Sequence, residues 1–149
     1  NYAWVNPLPN EAKKTIRSIP KKTIDASSFF NGRFLSPGST EYEKGWKWHV
    51  PDWKNIPGGF RNTFAGMKLL CSDKSNDVVT FEFEGRAVGA FVLAGPDAGT
   101  LKVSIDNEPF KSIDLYHNYS RGLHYPRTVM FATDLDQKIH SVRLRLAKP

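Results

Sequence analysis

The connection Tyr116 to Arg127 holds His117, Tyr119, Arg121, His124, Tyr125 and Arg127 within twelve residues. An arginine forks two donors onto a carboxylate or onto neighbouring hydroxyls. Histidine donates or accepts near neutral pH, and tyrosine offers an apolar face with a hydroxyl at its end. That mixture suits recognition of hydroxyl-rich or anionic ligands, and loops on a rigid scaffold commonly carry such work. A second concentration lies in Gly45 to Trp53, where Trp46, Trp48 and Trp53 are three of the chain's four tryptophans. Trp46 and Trp48 stand two apart and, in an extended segment, project to one side, with Trp53 able to swing towards them beyond Pro51. Flat apolar rings with one polar N–H suit sugars or bases, and they equally close one end of a small core. Arg61, after Gly58-Gly-Phe60, is placed to reach the same face as Trp53 or to pair with a surface acid.

Catalytic patterns are missing. A serine hydrolase needs its nucleophile on a sharp turn such as Gly-x-Ser-x-Gly, with a histidine and an acid behind it, and no such pentapeptide occurs. A His-Glu-x-x-His helix, a phosphate-cradling loop and a dinucleotide glycine motif are also absent. This chain by itself is therefore expected not to be an enzyme, and to need no cofactor. Asp97, Asp106 and Asp114 could ligate a structural calcium, but without the spacing of a known calcium loop. Gly95-Pro-Asp-Ala-Gly99 reads as a hairpin turn in which Asp97 bonds local backbone and Gly99 takes positive φ.

Length and composition narrow the field further. The 149 residues fit one domain; 40% are hydrophobic and 24% charged, the balance of a globular protein, and no apolar run approaches the length of a membrane helix. Membrane insertion is excluded on that reading. The single cysteine, Cys71, rules out an internal disulfide and multi-cysteine metal sites, and its neighbours Leu69 and Leu70 make it a strand residue. A net charge of +6 gives weak affinity for anions, acidic polysaccharides among them. Much of it falls in one run, Lys13, Lys14, Arg17, Lys21 and Lys22, which reads as a solvated surface.

The elements that must hold these residues are strands. Residues 1–21 read as a lead-in, with Asn10 capping a short helix over Glu11 to Ile19 that ends at Pro20. Residues 22–149 read as a β-sandwich domain. Val79, Phe81 and Phe83 alternate with polar residues, as do Leu101, Val103 and Ile105, and Val142, Leu144 and Leu146. Ala87 to Leu93 is almost wholly apolar, as a strand covered on both faces would be. Asp106-Asn107 makes a tight reversal, and Thr128 to Ala132 forms another strand. With short strands at Ile24 to Ala26 and Phe29 to Leu35 the total is about eight, which predicts an all-β fold, an antiparallel sandwich of jelly-roll type.

The runs Lys22 to Leu35, Gly45-Trp46, Gly85-Arg-Ala-Val-Gly-Ala-Phe-Val-Leu-Ala-Gly-Pro-Asp-Ala-Gly99, Val103-Ser-Ile-Asp106 and His140-Ser-Val-Arg-Leu144 resemble the β-sandwich domains attached to SGNH/GDSL-type hydrolases of Bacteroidetes. Those domains are similar to galactose-binding-like jelly rolls beside carbohydrate esterases. The resemblance implies a secreted or periplasmic module that assists a polysaccharide-degrading enzyme, with an adjacent catalytic domain as partner. It does not carry esterase activity to these residues, because the catalytic serine block is absent. Gly45-Trp46 belongs to the recurring pattern, which implies a structural role for Trp46.

Three functions follow as expectations. In a non-catalytic carbohydrate-binding module, Trp48 and Trp53 would stack on sugar rings, with Arg61, His117, Tyr119, Arg121, His124 and Arg127 binding hydroxyls or uronate carboxylates of an oligo- or polysaccharide. In a structural accessory domain, the tryptophans would belong to core or interface. Binding of single-stranded nucleic acid, through aromatics interleaved with basic residues, is the least favoured.

Overall fold

The computed structural model describes residues 31–35 and 40–149, together with Ser18, Lys21, Lys22, Asp25 and Ser28. The chain divides into two units, Asn1–Phe30 and Asn31–Pro149, and the architecture below is that of the second. The predicted helix over 11–19 and strand over 24–26 lie outside the described residues, save Ser18 and Asp25. Residues 31–35 form a turn and irregular backbone rather than the expected strand.

Nine strands are present among the described residues: β1 (Thr40–Lys44), β2 (Lys47–His49), β3 (Leu69–Cys71), β4 (Val78–Gly85), β5 (Val88–Ala94), β6 (Thr100–Ile105), β7 (Lys111–Asp114), β8 (Tyr125–Ala132) and β9 (Lys138–Lys148). They form an antiparallel five-stranded sheet in the order β1-β4-β9-β6-β7 and two antiparallel pairs, β2-β3 and β5-β8. The chain is an all-β sandwich. Among the described residues, no helix is long and apolar enough to cross a membrane.

The period-two pattern fixes which face of each strand is buried, since a slip of one residue would turn every side chain over. On β9, between β4 and β6, Val142 lies opposite Phe81 on one side and Ile105 on the other, and Leu144 lies opposite Val79 and Val103. Val142 is fully buried and Val79 nearly so. Val88 of β5 joins this cluster, and Phe131 and Ala132 of β8 pack against it, so the β5-β8 pair forms the second layer.

Only one face of that pair meets the core, because the layer is two strands wide and nothing among the described residues covers its back. Phe91 is 51% exposed and Met130 39%, which corrects the expectation that 87–93 is covered on both sides. Strands β1 and β2 also depart from the sequence reading. Thr40–Lys44 is a polar edge strand, a composition that discourages pairing with other chains. Lys47–His49 has only three residues, too few for a period to show.

Trp46 packs against the core, whereas Trp48 is 39% exposed, so the two rings do not form one platform. Cys71 sits half-buried on β3, and its thiol is pushed up chiefly by that burial. The Asp106-Asn107 reversal is as expected, with φ of 52° and 64° and the Glu108 N–H donating to the Ile105 carbonyl at 2.9 Å.

One polar residue occupies the core face of β9. His140 is 2% exposed and stacks on Phe83 at 5.3 Å between ring centres. Its Nδ1 donates to Asp106 Oδ2 at 2.7 Å and its Nε2 to the Asp136 carbonyl at 2.9 Å. The other Asp106 oxygen accepts the Ser141 N–H at 3.0 Å. Two acceptors around one ring favour the protonated form. The Asp136 carbonyl first, then the Asp106 carboxylate, raise the His140 pKa against the opposing effect of burial. The hydrogen bond from His140, then that from Ser141, lowers that of Asp106.

A raised histidine contributes stability below its unfolded value, near 6.5, and loses it as pH rises through the folded value. A lowered aspartate contributes above about 3.9 and loses it as pH falls through its folded value. The stability difference between the native chain and Asp106→Asn is therefore expected to be largest near pH 5 to 6 and to shrink in mildly alkaline solution. Urea unfolding across that range measures it, and a difference independent of pH would refute the pairing.

Candidate functional site

Three connections gather at the end of the sandwich where β5 leaves and β8 enters: residues 50–68, 95–99 and 115–124. Backbone bonds join the first to the third. Gly59 N–H donates to the Gly122 carbonyl at 2.8 Å, His124 N–H donates to the Gly59 carbonyl at 2.7 Å, and Gly59 and Leu123 form a parallel bridge.

The side chain of His124 extends the same link. Buried to 4% exposure, it donates from Nδ1 to the Gly59 carbonyl at 3.0 Å, and its Nε2 lies 3.0 Å from Asp97 Oδ1. Carbonyl and carboxylate oxygens are both acceptors, so one proton lies between Nε2 and Asp97. The edge of Trp53 meets the ring at 5.1 Å and 76°. Trp53 also stacks on Phe60 at 4.5 Å and donates from Nε1 to the Ala65 carbonyl at 3.1 Å. Asp97 is drawn into the site by a turn whose Ala98 N–H donates to the Gly95 carbonyl at 3.0 Å. A Cβ at Gly95 would collide with the His124 ring, so the glycine there makes room for the imidazole.

Beside this link stands an aromatic group. Residues Asn118–Arg121 form a 3-10 turn capped by His117, whose Nδ1 accepts the Tyr119 N–H at 3.3 Å. His117 N–H donates to Ser120 Oγ at 3.2 Å, and Ser120 is fully buried. Tyr119 lies against both His117 and Tyr125, each at 5.1 Å between ring centres, and keeps 65% of its surface exposed. His117 and Tyr125 face each other at 6.2 Å. The result is an exposed ring on a fixed base, a surface on which a flat apolar face can lie.

The residues named from sequence therefore divide. Trp53, His117, Tyr119 and His124 come together at this end. Arg121 is exposed at the end of the 3-10 turn, and Arg61 is exposed where the 62–64 turn begins. Arg127 faces inward and reaches the Leu115 and Tyr116 carbonyls at 3.4 and 3.5 Å, so it straps β8 to the end of β7. Trp48 lies on β2 opposite Leu70.

Trp53 is half-buried and bonded at its N–H, which makes it a support for His124 more than a ligand surface. Asp97 and Tyr125 also belong to this end, one bonded to His124 and the other beneath Tyr119. Asp97 bonds His124 rather than local backbone, and Gly99 is not among the positive-φ residues, which corrects both expectations for that turn. Asp97, Asp106 and Asp114 have separate partners: Asp97 meets His124, Asp106 meets His140, and Asp114 accepts the Tyr116 N–H.

Chemically, this geometry positions rings and donors. Both ring nitrogens of His124 are occupied, leaving neither free to draw a proton from a nucleophile. His124→Ala is expected to lower stability by about 2 to 3 kcal/mol, since it unpairs the Asp97 contact and opens a space against Trp53. Gly95→Ala should reproduce much of that loss. Urea titration with tryptophan emission as a second signal reads both, and a near-neutral His124→Ala would show that the link is not structural.

No family model matches the chain, and no curated protein matches it. Solved structures do. A two-domain esterase active on acetylated mannans, co-crystallized with mannopentaose, superposes with a TM-score of 0.55 and 15% identity over 74% of this chain. A second structure of a two-domain esterase active on acetylated mannans gives 0.52 and 16% over the same share. In both cases the match spans 29% of the esterase chain. At this identity the likeness is one of fold.

Proposed function

We propose that this chain is a carbohydrate-binding β-sandwich domain of a polysaccharide-acting esterase or hydrolase, of galactose-binding-like jelly-roll type, acting outside the cytoplasm. The observation that carries the reading is Tyr119, 65% exposed yet held against His117 and Tyr125 at the end of the sandwich locked by His124. A ring already fixed in place loses little freedom when a sugar stacks on it. Asp97, 44% exposed at its side chain, and the exposed Arg121 supply an acceptor and donors on the same loops. The fold shared with part of an acetylated-mannan esterase supports a carbohydrate setting and an adjacent catalytic domain. A positive net charge favours acidic glycans among the ligands. Arg61 and Trp48 remain available as exposed contributors, whereas His124, Trp53 and Arg127 act by holding the loops.

A second reading, a structural domain packed on a catalytic partner, is favoured by the outer face of β5-β8. Phe91 and Met130 are diagonal neighbours there, and both are exposed. The nucleic-acid reading draws less support, because Trp46 is in the core and Trp53 is pinned.

Isothermal titration with mannopentaose and with an acidic oligosaccharide tests the first reading. The domain is expected to bind at least one of them, and Tyr119→Ala to weaken binding about tenfold, equal to ~1.4 kcal/mol, without changing the unfolding midpoint. Absence of binding to either at millimolar ligand would leave the structural reading.

A further inference from the structure

A separate cleft of about 240 Å³ opens between the β2-β3 pair and the turn that follows β3. Its deepest polar group is Asp77, 2% exposed, with Ser72 Oγ donating to its Oδ2 at 2.6 Å. Gly45, at φ 78°, lies so close that a Cβ would collide with the Asp77 carboxylate, so the chain leaves space for that group at the cost of a left-handed residue. Lys47 and His49 lie two apart on β2 and face the cleft, and Asp73 and Lys74 line it from the turn. His49 donates from Nδ1 to the Val50 carbonyl at 3.1 Å, which leaves Nε2 as an acceptor.

Among the described residues that line this cleft, the charges balance. Two ammonium groups, Lys47 and Lys74, stand against two carboxylates, Asp73 and Asp77, while the whole chain carries +6. Among the described residues, neither Lys47 nor Lys74 forms an ion pair with an acid within 4.0 Å. Lysine donors without an ion pair, beside carboxylate and imidazole acceptors with bonding capacity to spare, match a ligand that offers hydroxyls able to do both. An anion would meet Asp77, and a divalent cation would meet the lysines. The volume falls just below the usual range of ligand pockets, ~300 to 1,000 Å³, and has room for a single ring.

We propose that this cleft is a second binding site, taking one neutral sugar ring or equivalent polyol, with Asp77 and His49 accepting its hydroxyls and Lys47 and Lys74 donating to them. The site is independent of the Tyr119 end, and neither depends on the other being correct. Amide chemical shifts of the labelled chain, followed during titration with methyl α-mannoside, D-glucuronate and calcium chloride in turn, provide the test. Saturable shifts at Lys47, Ser72, Asp73 and Lys74 with methyl α-mannoside are expected, unchanged in Tyr119→Ala and weakened roughly fivefold or more in Lys47→Ala/Lys74→Ala. Those side chains lie at the rim, so the double variant keeps its fold. Shifts that appear only with glucuronate or only with calcium, that fail to appear, or that survive intact in the double variant would overturn the proposal.

Discussion

The end of the sandwich depends on one buried imidazole. His124 spans loops that are 65 residues apart through Gly59 and 27 apart through Asp97, and each contact is a hydrogen bond of 3.0 Å. Such closures cost chain entropy, and bonds to a buried ring offset it only if every donor and acceptor is matched. Here they are matched: a carbonyl on one side, a carboxylate on the other, and a tryptophan edge across the ring. The ring adds the third loop to the backbone bonds that already join the other two, and Tyr119 stands beside that junction.

The five-stranded sheet makes that support possible. Its central strand, β9, carries residues that meet β4 and β6 on both sides, and the β5-β8 layer lies across the same core. The turn containing Asp97 leaves β5, and His124 precedes β8, so the pairing of Ala94 with Tyr125 already brings the two connections together. His140 performs a comparable task elsewhere, joining the β6-β7 reversal to the start of β9. In both places a histidine does what an apolar residue could not, because it satisfies two oxygen acceptors from within the fold.

Much of this was legible in the sequence, for reasons that can be named. Val79-Phe81-Phe83, Leu101-Val103-Ile105 and Val142-Leu144-Leu146 carry a clear period of two because one face of each strand is dry. Thr40–Lys44 carries no such signal, since an edge strand is stabilised by its neighbour's backbone and needs no apolar face. The crowding of His117, Tyr119 and His124 was visible, yet their division into an exposed ring and a buried link was not. That division comes from Asp97, whose place among glycines and proline reads as ordinary turn chemistry, and from Gly95, whose missing side chain matters only once an imidazole is beside it. The tryptophans show the same limit: spacing groups Trp46 with Trp48, while Trp46 packs against the core and Trp48 lies exposed on β2.

Fold and site fit a sandwich with one prepared end, and the central proposal is that carbohydrate meets the chain there. A crystal structure of the domain soaked with mannopentaose tests this most directly. The account predicts a sugar ring lying on Tyr119, with the Gly59–His124–Asp97 contacts unchanged from the free form. Sugar that leaves Tyr119 bare and is seated only away from those three loops, or loops that part to admit it, would contradict it.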